Sequence, residues 1–328
     1  MVNAGAGRLR LLFCGTPQFA VPSLKHLLLQ QDFNVLGVIT QPDRPRGRGH
    51  EVSFSSVKET ALAAGIPVHQ PEKIRAPEAQ ELLLKLAPDV MVIIAYGQII
   101  PGRLLPIPKY GWINLHASLL PKYRGAAPIN WAIVNGETKT GVSSMRIDAG
   151  MDTGEILLQK EMEIGPAETA PELAARMSEL GAPLMVETLR GLAAGSIVPR
   201  PQNHEQASFA PMLKKHDGLI DWSRTAQEIF HRIRGFAPWP GAYSTFRGQN
   251  CHIGGEPASN GLGDGSSHVV SGAGPGSLLA QGSELLILCG GATYLRLHAV
   301  KLEGRKQVTA SEFLNGAHLL PGEHFGKS

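Results

Sequence analysis

The strongest constraint on how this chain folds is a change of hydrophobic period partway along it. From residue 9 to residue 147, apolar runs of strand length alternate with stretches whose apolar residues recur at helical spacing. Residues 9–13, 34–40, 66–68, 89–95 and 113–116 read as strands, and another begins over 141–147. Residues 19–29, 57–64, 79–86 and 127–134 read as helices, and a helical stretch over 171–192 closes the series. A parallel strand needs a crossover before it can pair with its predecessor. Regular alternation therefore predicts an α/β fold, a mostly parallel sheet with helices on both faces.

Residues 195–209 are polar, contain proline and carry no period, so they are expected to link a domain of residues 1–194 to one of residues 210–328. Past that point the pattern differs. Residues 225–235 form one amphipathic helix, with Thr225 and Glu228 at capping-box spacing. Short apolar runs at 242–246, 285–289 and 294–300 follow, separated by glycine, serine and proline, which suggests a small antiparallel barrel or sandwich. Residues 259–276 are rich in glycine and serine and are expected to form a flexible surface loop.

Composition removes several function classes. Hydrophobic residues make up 43% and charged residues 18% of the 328, which excludes a disordered chain. A formal net charge of +3 excludes a uniformly basic nucleic-acid binder, so any basic surface has to be local. Cys14, Cys251 and Cys289 are odd in number and lack metal-ligand spacing, so buried thiols and no metal are expected. No run approaches the roughly 20 apolar residues that span a bilayer. The first ten residues lack the apolar core of a signal peptide. The expectation is a cytoplasmic monomer without membrane contact.

Asn114 and His116 stand two apart at the end of a strand, so both side chains point to one side of the sheet. In open α/β sheets ligands bind at the carboxyl ends of the strands. An amide and an imidazole there suit acyl transfer to an amine. Both can donate to the oxyanion that develops on the acyl oxygen, and histidine can move the proton. A second stretch, from Asp148 to Gly154, places Asp148 and Asp152 on a glycine-rich loop after a strand. Either carboxylate could tune His116, and spacing alone does not separate them. The turn Cys14-Gly15-Thr16 lacks the dinucleotide glycine pattern and the phosphate-loop lysine, which counts against a nicotinamide oxidoreductase.

The run from Asn114 to Ile129, with Met151-Asp152-Thr153-Gly154, resembles the 10-formyltetrahydrofolate-dependent formyltransferase family. Phe13-Cys14-Gly15-Thr16-Pro17, Thr40-Gln41-Pro42-Asp43-Arg44-Pro45 and Ala95-Tyr96-Gly97 narrow the resemblance to the methionyl-tRNA formyltransferases. That resemblance implies a Rossmann-like first domain and a smaller C-terminal β-barrel, OB-like, that supports tRNA. It implies Asn114, His116 and Asp152 as catalytic, which decides against Asp148. It implies that Ser118, Leu119, Leu120 and Pro121 contact the folate. The implied partners are 10-formyltetrahydrofolate and initiator methionyl-tRNA.

Residues 40–50 carry Arg44, Arg46 and Arg48 among glycine and proline, which rules out a regular helix. The stretch is similar to the loop that such enzymes insert against the tRNA acceptor end, and its charge suits phosphate contact. It departs from relatives at His50-Glu51, where a lysine pair is common. From residue 207 onward basic residues outnumber acidic ones by only 11 to 9, so tRNA contact there has to come from spatial placement of Lys214, Lys215, Arg232, Arg234, Lys301, Arg305 and Lys306. The four tryptophans are expected to pack rather than stack on bases. Two other readings remain open: a formyltransferase acting on a small amine, and a non-catalytic tRNA-binding protein.

Overall fold

A computed structural model describes residues 7–46, 51–258, 274–282, 284–320 and 322–326. The expected flexible loop therefore falls largely outside the described residues. The described chain divides into two compact units. One comprises Met1–Pro128, Lys139–Glu163 and Glu172–Pro211, the other Ile129–Thr138, Ile164–Pro171 and Met212–Ser328.

The chain enters the first unit through β1 (Leu9–Gly15), α1 (Val21–Leu28) and β2 (Phe33–Ile39). A short ribbon follows, made of β3 (Arg44–Arg46) and β4 (Glu51–Ser53). Next come α2 (Ser56–Ala63), β5 (Val68–His69), α3 (Pro77–Leu86), β6 (Val90–Ile94) and β7 (Trp112–His116). After the two-residue β8 (Arg124–Gly125) comes α4 (Pro128–Val134), which clusters with the second unit from Ile129 onward, and then β9 (Lys139–Arg146), β10 (Ile156–Glu163), α5 (Ala170–Ala194) and β11 (Phe209–Ala210). Local chemistry sets several helix starts. Ser55 caps α2 by accepting from the Lys58 amide, and Pro77 opens α3 where an amide hydrogen has no partner to lose.

The main sheet has seven strands in the order β10-β9-β7-β6-β1-β2-β5. Pairing is parallel from β7 through β5, and β9 and β10 add antiparallel strands at the other edge. The sheet is thus mostly parallel and covered by helices, as the alternation predicts. β6 is buried at all five positions, as a strand covered on both faces must be. Cys14, Cys251 and Cys289 are buried free thiols, and burial pushes all three up, Cys251 and Cys289 to about 12. No described helix is long and apolar enough to cross a membrane.

Residues 195–209, expected as a linker, cluster with the first unit. Ile156 and Arg200 exchange backbone hydrogen bonds of 2.9 and 2.8 Å, Ser208 Oγ accepts from the Tyr123 amide at 2.9 Å, and β11 pairs with β8. The stretch carries no period because its polar groups are satisfied one by one instead of within a regular element.

The second unit is an antiparallel sheet behind α6 (Ala226–Gly235), whose capping box from Thr225 and Glu228 forms as its spacing predicts. Its strands are β12 (Tyr243–Phe246), β13 (Gln249–Pro257), β14 (Leu278–Gln281), β15 (Glu284–Cys289), β16 (Thr293–Leu302) and β17 (Val308–Thr309), ordered β12-β13-β16-β15-β14 with β17 on β16. α7 (Ala310–Ala317) closes it with Phe313, which packs in a core with Trp222, Phe246 and Phe325. Trp112 and Trp222 are buried and donate to Leu104 O and Ser244 Oγ, and Trp131 sits edge-on to Phe236. Trp239 departs from the packing expectation: between Pro238 and Pro240, it is 55% exposed.

Candidate active site

β7 carries the expected pair into place. Leu115 packs under α5 so closely that a Cβ on Gly181 would lie 2.4 Å from Leu115 Cδ2. Alternation along the strand turns Asn114 and His116 to the opposite face. His116 is buried, and its Nε2 lies 2.9 Å from the carbonyl oxygen of Tyr123. A carbonyl only accepts, so Nε2 carries the hydrogen. Nδ1 then faces Asp152 Oδ2 at 3.6 Å, too long for a hydrogen bond and close enough for charge attraction when the ring takes up a second proton.

Asp152 is fixed from the other side. Its Oδ2 accepts from the Gly125 amide at 2.8 Å. Gly125 cannot be another residue without strain: its φ is +122°, and a Cβ there would meet Ala210 O at 2.6 Å. Asp152 itself holds a left-handed φ of +54°. The two loop carboxylates have different surroundings. Asp148 Oδ1 accepts from the Gly150 amide at 3.0 Å and from Thr153 Oγ1 at 2.7 Å, so it shapes the loop that presents Asp152.

The four residues expected to touch folate divide in two. Ser118 is fully buried and donates to Lys122 O, and Leu120 packs with Met145 and Ile156. Leu119 and Pro121 are half-buried and keep surface for a ligand. Arg44 is exposed at the start of the β3–β4 ribbon. Arg46 pairs through its backbone with Glu51, and Arg48 lies outside the described residues. Asp43 anchors the ribbon's base: Lys58 donates to it, Gln70 Nε2 donates at 3.0 Å, and both hold its carboxyl below the usual carboxylate range. Arg234, one of the basic candidates in the second unit, is buried and donates to Gly165 O and Glu168 O, so it holds a loop in place.

Beside β7 the strand order turns about β1, with β6 on one side and β2 on the other. A cleft of about 580 Å³ opens there, lined by Thr16, Gln41, Arg44, Lys73, Tyr96 and Gln98. Thr16 and Gln41 both donate to Tyr96 O, and Gln98 donates to Gln41. Since β6 pairs with β7, this cleft and His116 share one rim of the sheet. A larger groove of about 730 Å³, lined by His26, Gln30, Glu187 and Arg190 among others, contains none of the expected site residues. The site also uses two backbone groups, Tyr123 O and Gly125 N, and two buried side chains behind them, Arg124 and Gln202, to which residue spacing does not point. Arg124 and Gly125 lie inside the motif that carries the resemblance, whereas nothing local marks Gln202.

Two family models match the chain: Formyl transferase over residues 8–189 and Formyl transferase, C-terminal domain, over residues 212–318. The chain is 50% identical over 320 residues to Methionyl-tRNA formyltransferase of Solibacter usitatus (strain Ellin6076), covering 97% of this chain and 99% of that one. It is 51% identical over 307 residues to Methionyl-tRNA formyltransferase of Koribacter versatilis (strain Ellin345), covering 93% and 95%. Among solved structures, a sugar 3N-formyl transferase crystallised with dTDP and 5-N-formyl-THF matches with a TM-score of 0.65 at 20% identity, over 92% of this chain and 100% of that one. That last likeness speaks for the fold alone. The full-length relatives and the match over residues 8–189 place this chain in the formyl transferase family.

Proposed function

We infer that this chain transfers a formyl group from 10-formyltetrahydrofolate to the amino group of methionine on initiator tRNA, the reaction that prepares that tRNA to start translation. The observation that carries the reading is near-full-length identity of about half to relatives named for that reaction. The geometry around His116 supports it. The folate derivative enters as a substrate and supplies the formyl carbon. Asn114 and His116 face the reacting carbonyl; the Asn114 side-chain N–H stabilises the oxyanion that forms on the formyl oxygen, and one such donor is worth roughly 3 kcal/mol.

Proton transfer follows from the tautomer. Tyr123 O holds Nε2–H, which leaves Nδ1 to exchange a proton. As the amine nitrogen bonds to the formyl carbon, Nδ1 takes the amine's proton, and Asp152 stabilises the imidazolium at 3.6 Å. The bond from the formyl carbon to the folate N10 then breaks, and His116 returns the proton to that nitrogen. Leu119 and Pro121 offer partly exposed apolar surface to the folate. The cleft beside β6, with Arg44 in its lining, suits contact with a phosphate of the tRNA acceptor end. In the second unit, Lys214, Lys215, Lys301, Arg305 and Lys306 are exposed and suit contact with the tRNA backbone. The protein acts in the cytoplasm as a monomer.

The test is an assay of the purified chain with charged initiator tRNA and a labelled formyl-folate donor. Labelled formyl-methionine on the tRNA is expected. Label appearing only on a small amine, or tRNA binding without turnover, would overturn the reading.

A further inference from the structure

Behind Asp152, two buried side chains serve neither the sheet nor the hydrophobic core. Gln202 is 6% exposed and Arg124 is 3% exposed. The Gln202 amide uses all its hydrogen-bonding positions. Its Oε1 accepts from Arg124 Nε at 3.0 Å and from Arg124 Nη2 at 2.6 Å. Its Nε2 donates to Asp152 O at 2.9 Å and to Gly154 O at 2.7 Å. The remaining guanidinium nitrogen, Nη1, lies 3.1 Å from His204 Nδ1.

Arg124 sits between the two backbone groups that make the site. The carbonyl of Tyr123 before it holds His116, and the amide of Gly125 after it holds the Asp152 carboxylate. Gln202 therefore ties the segment that holds the site's polar atoms to the loop that supplies the carboxylate. The left-handed backbone of Asp152 persists only where its surroundings over-determine it, and Gln202 bonds to that residue's own carbonyl. A buried guanidinium is costly unless its N–H groups are paired. That cost is explicable if the residue holds something in place.

We propose that Gln202 and Arg124 are positioning residues that clamp the Asp152 loop so that its carboxylate faces His116. Neither side chain is bonded to His116 or to the Asp152 carboxylate, so they act through the backbone. The proposal rests on the formyl-transfer reading for its effect on turnover, but not for its effect on where Asp152 sits.

The experiment uses the full chain and the variant Gln202→Glu. That variant keeps the side chain's size and its acceptor for Arg124, while replacing both donors to the Asp152 loop with an acceptor. Gln202→Ala serves as a second variant should the first fail to fold. The first readout needs no turnover: the exchange rate of the Gly125 amide proton, whose partner is Asp152 Oδ2. Exchange is expected to quicken on the order of 10-fold as that partner moves away. The second readout is a double-mutant cycle with Asp152→Asn. Alone, Gln202→Glu should lower kcat on the order of 10- to 100-fold with KM for both substrates changed less than about twofold. On top of Asp152→Asn it should lower kcat further by less than about threefold, because the group it positions is already disabled. An unchanged Gly125 amide, an unchanged kcat, or an equal loss in both backgrounds would overturn the clamp. Should the wild-type chain formylate no methionyl-tRNA, the substrate reading fails, and the Gly125 amide still decides the clamp.

Discussion

At the end of β7, His116 and Asp152 keep only 6% and 19% of their side-chain surface exposed, each bonded or held by a backbone group. Along the β3–β4 ribbon, Arg44 stands exposed, and the support the structure describes is the Asp43 anchor at the ribbon's base. The two regions serve interactions with different tolerances. Stabilising a developing oxyanion requires donors fixed before the reaction, since a shift of about 1 Å costs on the order of 100-fold in rate. Attraction to a polyanion depends on distance far less sharply and tolerates side chains that move.

That contrast can be broken in several ways. The largest effect is expected from His116→Ala. It should reduce kcat on the order of 100- to 10,000-fold and leave methionyl-tRNA affinity unchanged. Equal losses in kcat and affinity, measured by single turnover and filter binding, would show that the buried region also carries binding. Asn114→Ala should follow, with a kcat loss on the order of 100- to 1,000-fold from one oxyanion donor.

Gly125→Ala sharpens the comparison, because it changes no functional side chain. A Cβ 2.6 Å from Ala210 O, at a φ of +122°, has to move the amide that holds Asp152. We expect a loss of stability of about 1–3 kcal/mol in urea unfolding. The accompanying loss of kcat should far exceed that of a substitution of equal stability cost elsewhere in the sheet.

Replacing Arg44, Arg46 and Arg48 together by alanine should do the reverse. tRNA affinity should fall and its log–log salt dependence flatten by roughly 2–3 units, while kcat at saturation holds. A salt slope identical to wild type would mean that the ribbon makes no phosphate contact.

The smallest effect belongs to Asp43→Asn. The folded carboxyl lies below its ordinary value, so its contribution is complete above about pH 4 and is lost as pH falls through the depressed value. The variant should be less stable at pH 7 by no more than about 1 kcal/mol. Its urea midpoint should converge with wild type in stronger acid. A gap that widened in acid would contradict the assigned anchor.

Much of this architecture is legible in the residues. Alternating periods specify the parallel strands and their helices, because each element must bury its own apolar face. The Thr225–Glu228 capping box states where α6 begins, and Asn114 and His116 announce a shared face by spacing alone. Thr309 and Glu312 cap α7 by the same pattern. Other features were not readable locally. Residues 195–209 look like a linker because their bonds go to distant partners. Trp239 looks like a packing residue because an indole's burial depends on what surrounds it.

By itself, the sequence determined the period of each element, the caps, and the residue types placed at the rim of the sheet, since these follow from interactions over a few positions. Residue spacing leaves Asp148 and Asp152 as equal candidates, and the tertiary structure brings Asp152 Oδ2 to 3.6 Å from His116 Nδ1. It also decided which nitrogen of that ring carries the hydrogen, and that Gln202, 50 residues beyond Asp152, bonds to its backbone. Those outcomes depend on groups from separate segments of the chain being brought within about 4 Å of one another, where hydrogen bonds and charge pairs discriminate.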